Sequence, residues 1–250
     1  MAIRGILFDK DGTLLDFNAT WVPVNRTVAR IVANGDEALA QHLLKEGGQD
    51  DVAGTVKSGS LLAVGNTRDI ADVWAALSPD HGQADLVSVM DEVFRREGAL
   101  TSVPVAGLVD TIGALTVLGL TLGIATSDSE AGAWATLAPF DVLPRFDFVA
   151  GYDSGHGIKP GPGMVEGFCN QCQLSPLDVL VVGDNQHDLE MGRAANVGLV
   201  VGVLSGTSVR LDLEGMADFV IEDIRGLVGV LGLGNGSELC DDHDPKIVLN

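Results

Sequence analysis

Cysteine is scarce in this chain, with three residues in 250, and that excludes a disulfide-built scaffold. Positive charge is also short: 15 lysines and arginines stand against 35 aspartates and glutamates, a net charge of −20. A surface of that sign repels phosphate backbones and anionic lipid, so the expected partners include neither nucleic acid nor membrane. Long hydrophobic runs are missing. The longest uncharged stretch, Thr111 to Ser127, is shorter than the roughly 20 apolar residues of a membrane span, and Gly113, Gly119 and Gly123 interrupt it. It reads instead as the end of a helix, a turn at Gly119 and a buried strand. Met1 to Phe8 leads straight into Asp9 without the basic-then-apolar pattern of a leader. The expectation is a soluble cytoplasmic protein, monomer or homodimer. Internal repeats of roughly 20–50 residues are absent too.

What is present suits a folded core, with 46% hydrophobic and 20% charged residues. Short runs of strand character recur at Ile3–Phe8, Leu120–Thr126, Phe146–Ala150, Val179–Gly183, Leu199–Val203 and Phe219–Ile221. The fourth is apolar throughout, as in a strand covered on both faces. From Gly107 onward these runs alternate with helical patterns, which predicts an α/β fold: a Rossmann-like parallel sheet with crossover helices. One such helix, after Pro162, carries the apolar stripe Met164, Val165, Phe168, Cys169 and Cys172.

From about Trp21 to Leu100 the pattern is helical, with little strand character. Leu86, Val89, Met90, Val93 and Phe94 share one helical face, and Asn25–Ala33, Glu37–Glu46 and Arg68–Leu77 also read as helices. About 80 residues is too long for a crossover loop. A helical subdomain inserted after the first strand is predicted, with hinges near Asp16–Trp21 and Ala99–Val105. The expected division is a core of residues 1–16 and 105–233, a helical insertion of 17–104 and an irregular acidic tail of 234–250.

Ligands of open α/β sheets sit at the carboxyl ends of strands. The first strand ends in Asp9-Lys10-Asp11-Gly12-Thr13. Carboxylates at i and i+2 of an extended chain share a side while Lys10 points away, and such a pair calls for a nearby cation. An ordinary Asp-Gly turn is the alternative. The fourth strand ends in Gly183-Asp184-Asn185-Gln186-His187-Asp188, which reads either as a helix cap at Asp184 or as a second acid pair. Acids converging from two strand ends would suit a hard, oxygen-preferring cation such as Mg²⁺. The second strand ends in Thr126-Ser127-Asp128, a helix cap or an anion site. Lys159, one of five lysines, lies in a loop after the third strand, either at the surface or within reach of the same pocket.

The order and spacing of these four clusters resemble the haloacid dehalogenase superfamily, in its phosphatase branch, from Ile3 to about Leu231. The look is similar to bacterial phosphoglycolate phosphatases, with the helical insertion in the place of that family's small cap. The resemblance implies Mg²⁺-dependent hydrolysis of a small phosphorylated metabolite. It makes Asp9 the nucleophile, Asp11 the general acid and base, Thr126 a phosphoryl ligand and Lys159 the charge-offsetting base. Asp9, the Asp11 carbonyl and Asp184 would hold Mg²⁺, with Asp188 a further ligand or a partner of Lys159. Gly12 and Thr13 would shape the turn beside the phosphate. Two departures stand out: Lys10, where the family commonly has an apolar residue, and Ser127, where phosphoglycolate phosphatases often have asparagine. A dehalogenase is disfavoured because Asp11 is present. A sugar-phosphate mutase of the same fold and a non-catalytic phosphate-binding protein are the alternatives.

Smaller signals complete the reading. Asn18 and Trp21 are expected to line the entrance, and Arg68 or Lys57 to meet a substrate carboxylate or second phosphate. Cys169 and Cys172 with Cys240 and His243 could be written as a zinc set, but a helix stripe packs thiols as small hydrophobes. His156 and His187 flank the site in sequence and read as solvated loop residues.

Overall fold

The computed structural model describes residues 2–78 and 83–233. The first strand, β1 (Gly5–Phe8), leads through a tight turn into α1 (Phe17–Val32) and α2 (Glu37–Gly47). A two-stranded ribbon follows, β2 (Gln49–Asp50) and β3 (Thr55–Val56), then α3 (Leu61–Val64), α4 (Thr67–Leu77) and α5 (Gln83–Thr101). The remainder alternates: α6 (Leu108–Val117), β4 (Thr121–Ala125), α7 (Glu130–Leu137), β5 (Phe148–Ala150), α8 (Gly163–Cys172), β6 (Val179–Gly183), α9 (Gln186–Ala194), β7 (Leu199–Val203), α10 (Arg210–Leu213), β8 (Phe219–Ile221) and α11 (Leu227–Leu233).

Six strands form one parallel sheet in the order β5-β4-β1-β6-β7-β8. The predicted Rossmann-like α/β core is therefore present. The four inner strands are apolar on both faces because helices cover both. Ile6, Phe8, Leu122, Ile124, Leu180 and Val182 pack on one side with Ile112, Leu115 and Leu227. Leu7, Val179 and Val181 pack on the other with Phe168, Leu189 and Met191. Met164, Val165, Phe168 and Cys169 of the predicted stripe are buried there, with Cys172 half-buried at the edge.

A third cluster draws all its buried members from residues between Phe17 and Phe94, around the fully buried Trp74. Leu86, Met90, Val93 and Phe94 of α5 face it, but Val89 is 44% exposed. Chain exit and re-entry lie side by side, with Asp16 N–H donating to the Val103 carbonyl (2.8 Å) and Val105 N–H to that of Leu14 (3.0 Å).

Two expectations needed revision. Helix α1 begins at Phe17, eight residues before Asn25, because Asp16 caps it by accepting from Ala19 N–H (2.9 Å) and Pro23 is carried inside the helix. The insertion also contains the β2–β3 ribbon, too short to leave an alternating pattern; it is closed by a turn through Gly54 at φ 67° and pinned by Asn18, whose Oδ1 accepts from Val56 N–H (3.0 Å).

Candidate active site

The parallel register sets Phe8 beside both Ile124 and Val182. The first residues past the ends of three adjacent strands, Asp9 after Phe8, Thr126 after Ala125 and Asp184 after Gly183, therefore leave the sheet at one edge. Asp9 N–H continues the ladder to the Val182 carbonyl (2.8 Å), while its side chain turns to Lys159. The Lys159 ammonium donates to Asp9 Oδ1 and to Asp188 Oδ1, both at 2.6 Å, and all three side chains are buried. Asp188 also caps α9, its Oδ2 accepting from Asn185 N–H (3.2 Å). Asp184 Oδ2 accepts from Thr207 N–H (2.8 Å).

Burial, reinforced by the charge of Asp188 and opposed by Lys159, holds the Asp9 carboxyl well above the ordinary carboxylate range. Burial and then Asp188 push Asp184 up to about 7. For Lys159, burial works against the ammonium, but Asp188 and Asp9 outweigh it and hold the group above the ordinary lysine value.

Asp9, Asp184 and Asp188 each place an oxygen within 4.8 Å of the others. Three carboxylates face one ammonium, and Asp9 Oδ2 is buried without a hydrogen-bond partner among the described residues. The backbone closes tightly around this group. Gly12 sits at φ 91°, and a Cβ there would come within 2.6 Å of the Asp184 carboxylate; one on Gly206 would strike the same carboxylate. An all-oxygen donor set, surplus negative charge and an unsatisfied buried oxygen fit a small, hard divalent cation.

Asp11 stands apart from this triplet, and Lys10 does not point away. The Lys10 ammonium, fully buried, donates to Asp11 Oδ1 (2.7 Å) and pairs with Asp128 Oδ2 (3.1 Å), 4.9 Å from the centre of the Trp21 ring. Trp21 Nε1–H donates to the same Asp11 oxygen (2.7 Å). Strand alternation stops at Phe8: the N–H groups of Leu14 and Leu15 both bond the Lys10 carbonyl, and Gly12 N–H bonds that of Leu15, so Asp9 to Thr13 is a turn rather than extended chain. Burial works against the Lys10 charge, but Asp11 and then Asp128 outweigh it and hold the ammonium above its ordinary value.

A cavity of about 70 Å³ separates the sheet edge from the helical insertion. Asp9, Asp11, Thr126, Ser127, Asp128 and Asn185 form its floor, and Phe17, Trp21, Asn25, Leu62, Ala63, Gly65, Thr67, Ile70 and Phe94 its roof. Thr126 is held by a turn in which its Oγ1 accepts from Asp128 N–H (3.1 Å). A second cavity, of about 210 Å³, lies beyond Ser127 and is lined by Lys159, Tyr152, Asn66 and His187. Thr13 is fully buried beneath the turn, and the Gly12 carbonyl accepts from Ser205 Oγ (2.7 Å).

Several predicted residues lie elsewhere. Asn18 serves the ribbon and does not line the cavity. Arg68 is exposed on α4 and rests 5.6 Å from the centre of the Tyr152 ring, outside the site; Lys57 is exposed as well. Both lie within the insertion, but sequence proximity to a site does not set which way a helix faces. His156 packs on Phe148 (5.4 Å between ring centres). On α8 burial pushes the Cys169 thiol up to about 11, which suits packing rather than reactivity; Cys240, His243 and the tail lie outside the described residues. Conversely, Lys10, Asp128, Asn185 and the roof residues Asn25, Thr67, Ile70 and Phe94 were absent from the predicted set. A lysine between two aspartates was the one signal available for any of them. The roof positions are ordinary helix residues until the insertion folds over the sheet.

A model of the haloacid dehalogenase-like hydrolases matches residues 3–196. The phosphoglycolate phosphatase of Escherichia coli K12 is 27% identical over 270 residues, covering 97% of this chain and 98% of that protein. That of Salmonella choleraesuis is also 27% identical, covering 92% and 93%. Among solved structures, a predicted phosphoglycolate phosphatase from Haemophilus somnus 129pt superposes with a TM-score of 0.67 at 20% identity, covering 91% of this chain and 97% of the other. A hydrolase from Pseudomonas syringae gives 0.67 at 21%, covering 92% and 98%. No helix among the described residues is long and apolar enough to cross a membrane.

Proposed function

From the premise that the chain belongs to the haloacid dehalogenase-like hydrolases, we propose that it hydrolyses a small phosphate monoester, of the size of phosphoglycolate or a sugar phosphate, through an aspartyl-phosphate on Asp9. The observation that carries this reading is the state of Asp9. One oxygen is fixed by Lys159 at 2.6 Å, and the other is buried and unpartnered at the floor of a cavity. A carboxylate so placed is oriented, desolvated and ready to attack phosphorus in line.

Asp9 displaces the alcohol, and Asp11 gives the leaving oxygen a proton. Asp11 accepts Lys10 and Trp21 on Oδ1, and Oδ2 is the oxygen we assign to that transfer. In the second half Asp11 takes a proton from the water that attacks the aspartyl-phosphate and frees inorganic phosphate. Thr126 and Ser127 bind the phosphoryl oxygens, and Lys159 offsets the charge that builds between phosphate and Asp9. Asp9, Asp184 and the Asp11 carbonyl would hold Mg²⁺, with Asp188 fixing Lys159. When bound, that ion supplies neutralisation of the phosphate and of the crowded carboxylates. The insertion acts as a cap whose apolar roof, led by Trp21 and Phe94, excludes bulk water from the first step.

Phosphate release from a panel of small phosphomonoesters tests this, run with Mg²⁺, with EDTA and with Asp9→Asn. Cation-dependent release that disappears in the variant supports the proposal. Well-folded, Mg²⁺-loaded protein that releases no phosphate from any ester refutes it and leaves the phosphotransferase and binding readings.

A further inference from the structure

We propose that the organic part of the substrate is uncharged and presents an apolar surface, so that an ester carrying a second acidic group is a poor substrate. The inference rests on the phosphatase reading and narrows it. Its basis is the wall of the 70 Å³ cavity beyond the phosphoryl position. Phe17, Leu62, Ala63, Ile70 and Phe94 make that wall hydrocarbon, and two carboxylates, Asp11 and Asp128, stand at its foot.

A second anion in the substrate would need a cation to meet it, because it would be desolvated beside like charges. Among the described residues, no lysine or arginine lines this cavity. Two ammonium groups are near, and neither is available. Lys10 is fully buried and shared between Asp11 and Asp128, with the Trp21 ring beside it. Lys159 is shared between Asp9 and Asp188 and, on the present reading, serves the phosphoryl group. Polar groups on the roof are few, and Asn25 already donates its Nδ2–H to Gln49 Oε1 (3.0 Å). A branched or compact hydrocarbon tail, with at most a hydroxyl toward Thr67, matches this wall; a carboxylate does not.

The test compares kcat/KM for two esters of similar shape: isobutyl phosphate and 2-phosphoglycolate, in which a carboxylate replaces the isopropyl group. p-Nitrophenyl phosphate serves as the general reporter of phosphatase activity. The expected result is a preference for isobutyl phosphate of at least about tenfold. Ala63→Lys, at a half-buried position on the short helix α3, is expected to shift that ratio toward 2-phosphoglycolate by at least about fivefold. If the native protein releases phosphate from p-nitrophenyl phosphate but prefers isobutyl phosphate by less than about tenfold, or releases it from neither aliphatic ester, this inference is overturned while the phosphatase reading stands. If it releases phosphate from none of the three, the phosphatase reading fails and takes this inference with it.

Discussion

Two lysines of this molecule are buried almost identically in different company. Lys159 and Lys10 each bring an ammonium to two aspartates at hydrogen-bond distance, and both are held above the ordinary lysine value by those partners. The Lys10 cluster is the more nearly closed: the Trp21 indole N–H adds a second donor to Asp11 and its ring lies against the ammonium, while Asp128 Oδ2 meets Lys10 as an ion pair without a hydrogen bond. The Lys159 cluster is open, because Asp184 adds a third carboxylate and Asp9 keeps an unpartnered oxygen. A buried ion pair alone is therefore a poor marker of function. What separates the two is leftover charge: three carboxylates gather at Lys159 and two at Lys10.

The largest effect that could break this comparison is loss of the open cluster's nucleophile. Asp9→Asn is expected to lower phosphate release by at least about 10⁴-fold, read by steady-state kinetics with folding checked by circular dichroism. In the closed cluster the two acids should separate. Asp11→Asn lowers kcat by about 10²–10⁴-fold, whereas Asp128→Asn, at the residue that pairs with Lys10 and accepts from Ser129 N–H, stays within about tenfold; equal losses would dissolve the assignment of proton transfer to Asp11. Removing either lysine leaves buried carboxylates uncompensated and should cost about 3–5 kcal/mol in urea unfolding. Saturating Mg²⁺ should restore part of that loss in Lys159→Met and none in Lys10→Met.

A smaller effect follows pH. Asp184 is pushed up to about 7 in the metal-free fold, against roughly 4 in an unfolded chain. The stability tied to its protonated form is full below about 4 and is lost as pH rises through about 7. Metal-free protein should therefore show a lower Tm at pH 8 than at pH 5.5, and Asp184→Asn should flatten the difference. Mg²⁺ should stabilise the fold more at pH 8, by about 2.7 kcal/mol when the ion is at 100 times its Kd. The smallest effect concerns a helix cap: Asn66→Ala, which removes the capping box of α4, should cost about 1 kcal/mol.

Much of the fold was legible because hydrophobic runs bounded by turn residues mark buried parallel strands directly. All six strands of the sheet fall inside the runs read from sequence, and the acids at their ends converge because parallel pairing aligns those ends. The helical insertion was legible as helices but not in its details. A proline at position 23 argues for a break, yet Asp16 caps a helix that continues through it. Lys10 was misread because alternation was carried past the end of β1 into a turn. Trp21, expected at the entrance, does line the cavity, but Asn18 does not, and Arg68, expected to meet a substrate carboxylate or second phosphate, lies outside it; the rest of the roof, Phe17, Asn25, Leu62 to Ile70 and Phe94, consists of positions whose facing is decided only when one unit packs on another.

The strand order also dictates a timetable for synthesis. β1 is flanked by β4 and β6, so the strand that leads into Asp9 emerges among the first ten residues but acquires its second neighbour only after residue 179. All the buried members of the insertion's cluster, by contrast, have been made by residue 94. A growing chain can thus bury the insertion's core while β1 still exposes both edges, the kind of edge that invites pairing with other chains. Its four residues are short, and Asp9-Lys10-Asp11 follows at once; that charged stop limits how far a stray pairing can run before the proper neighbours arrive.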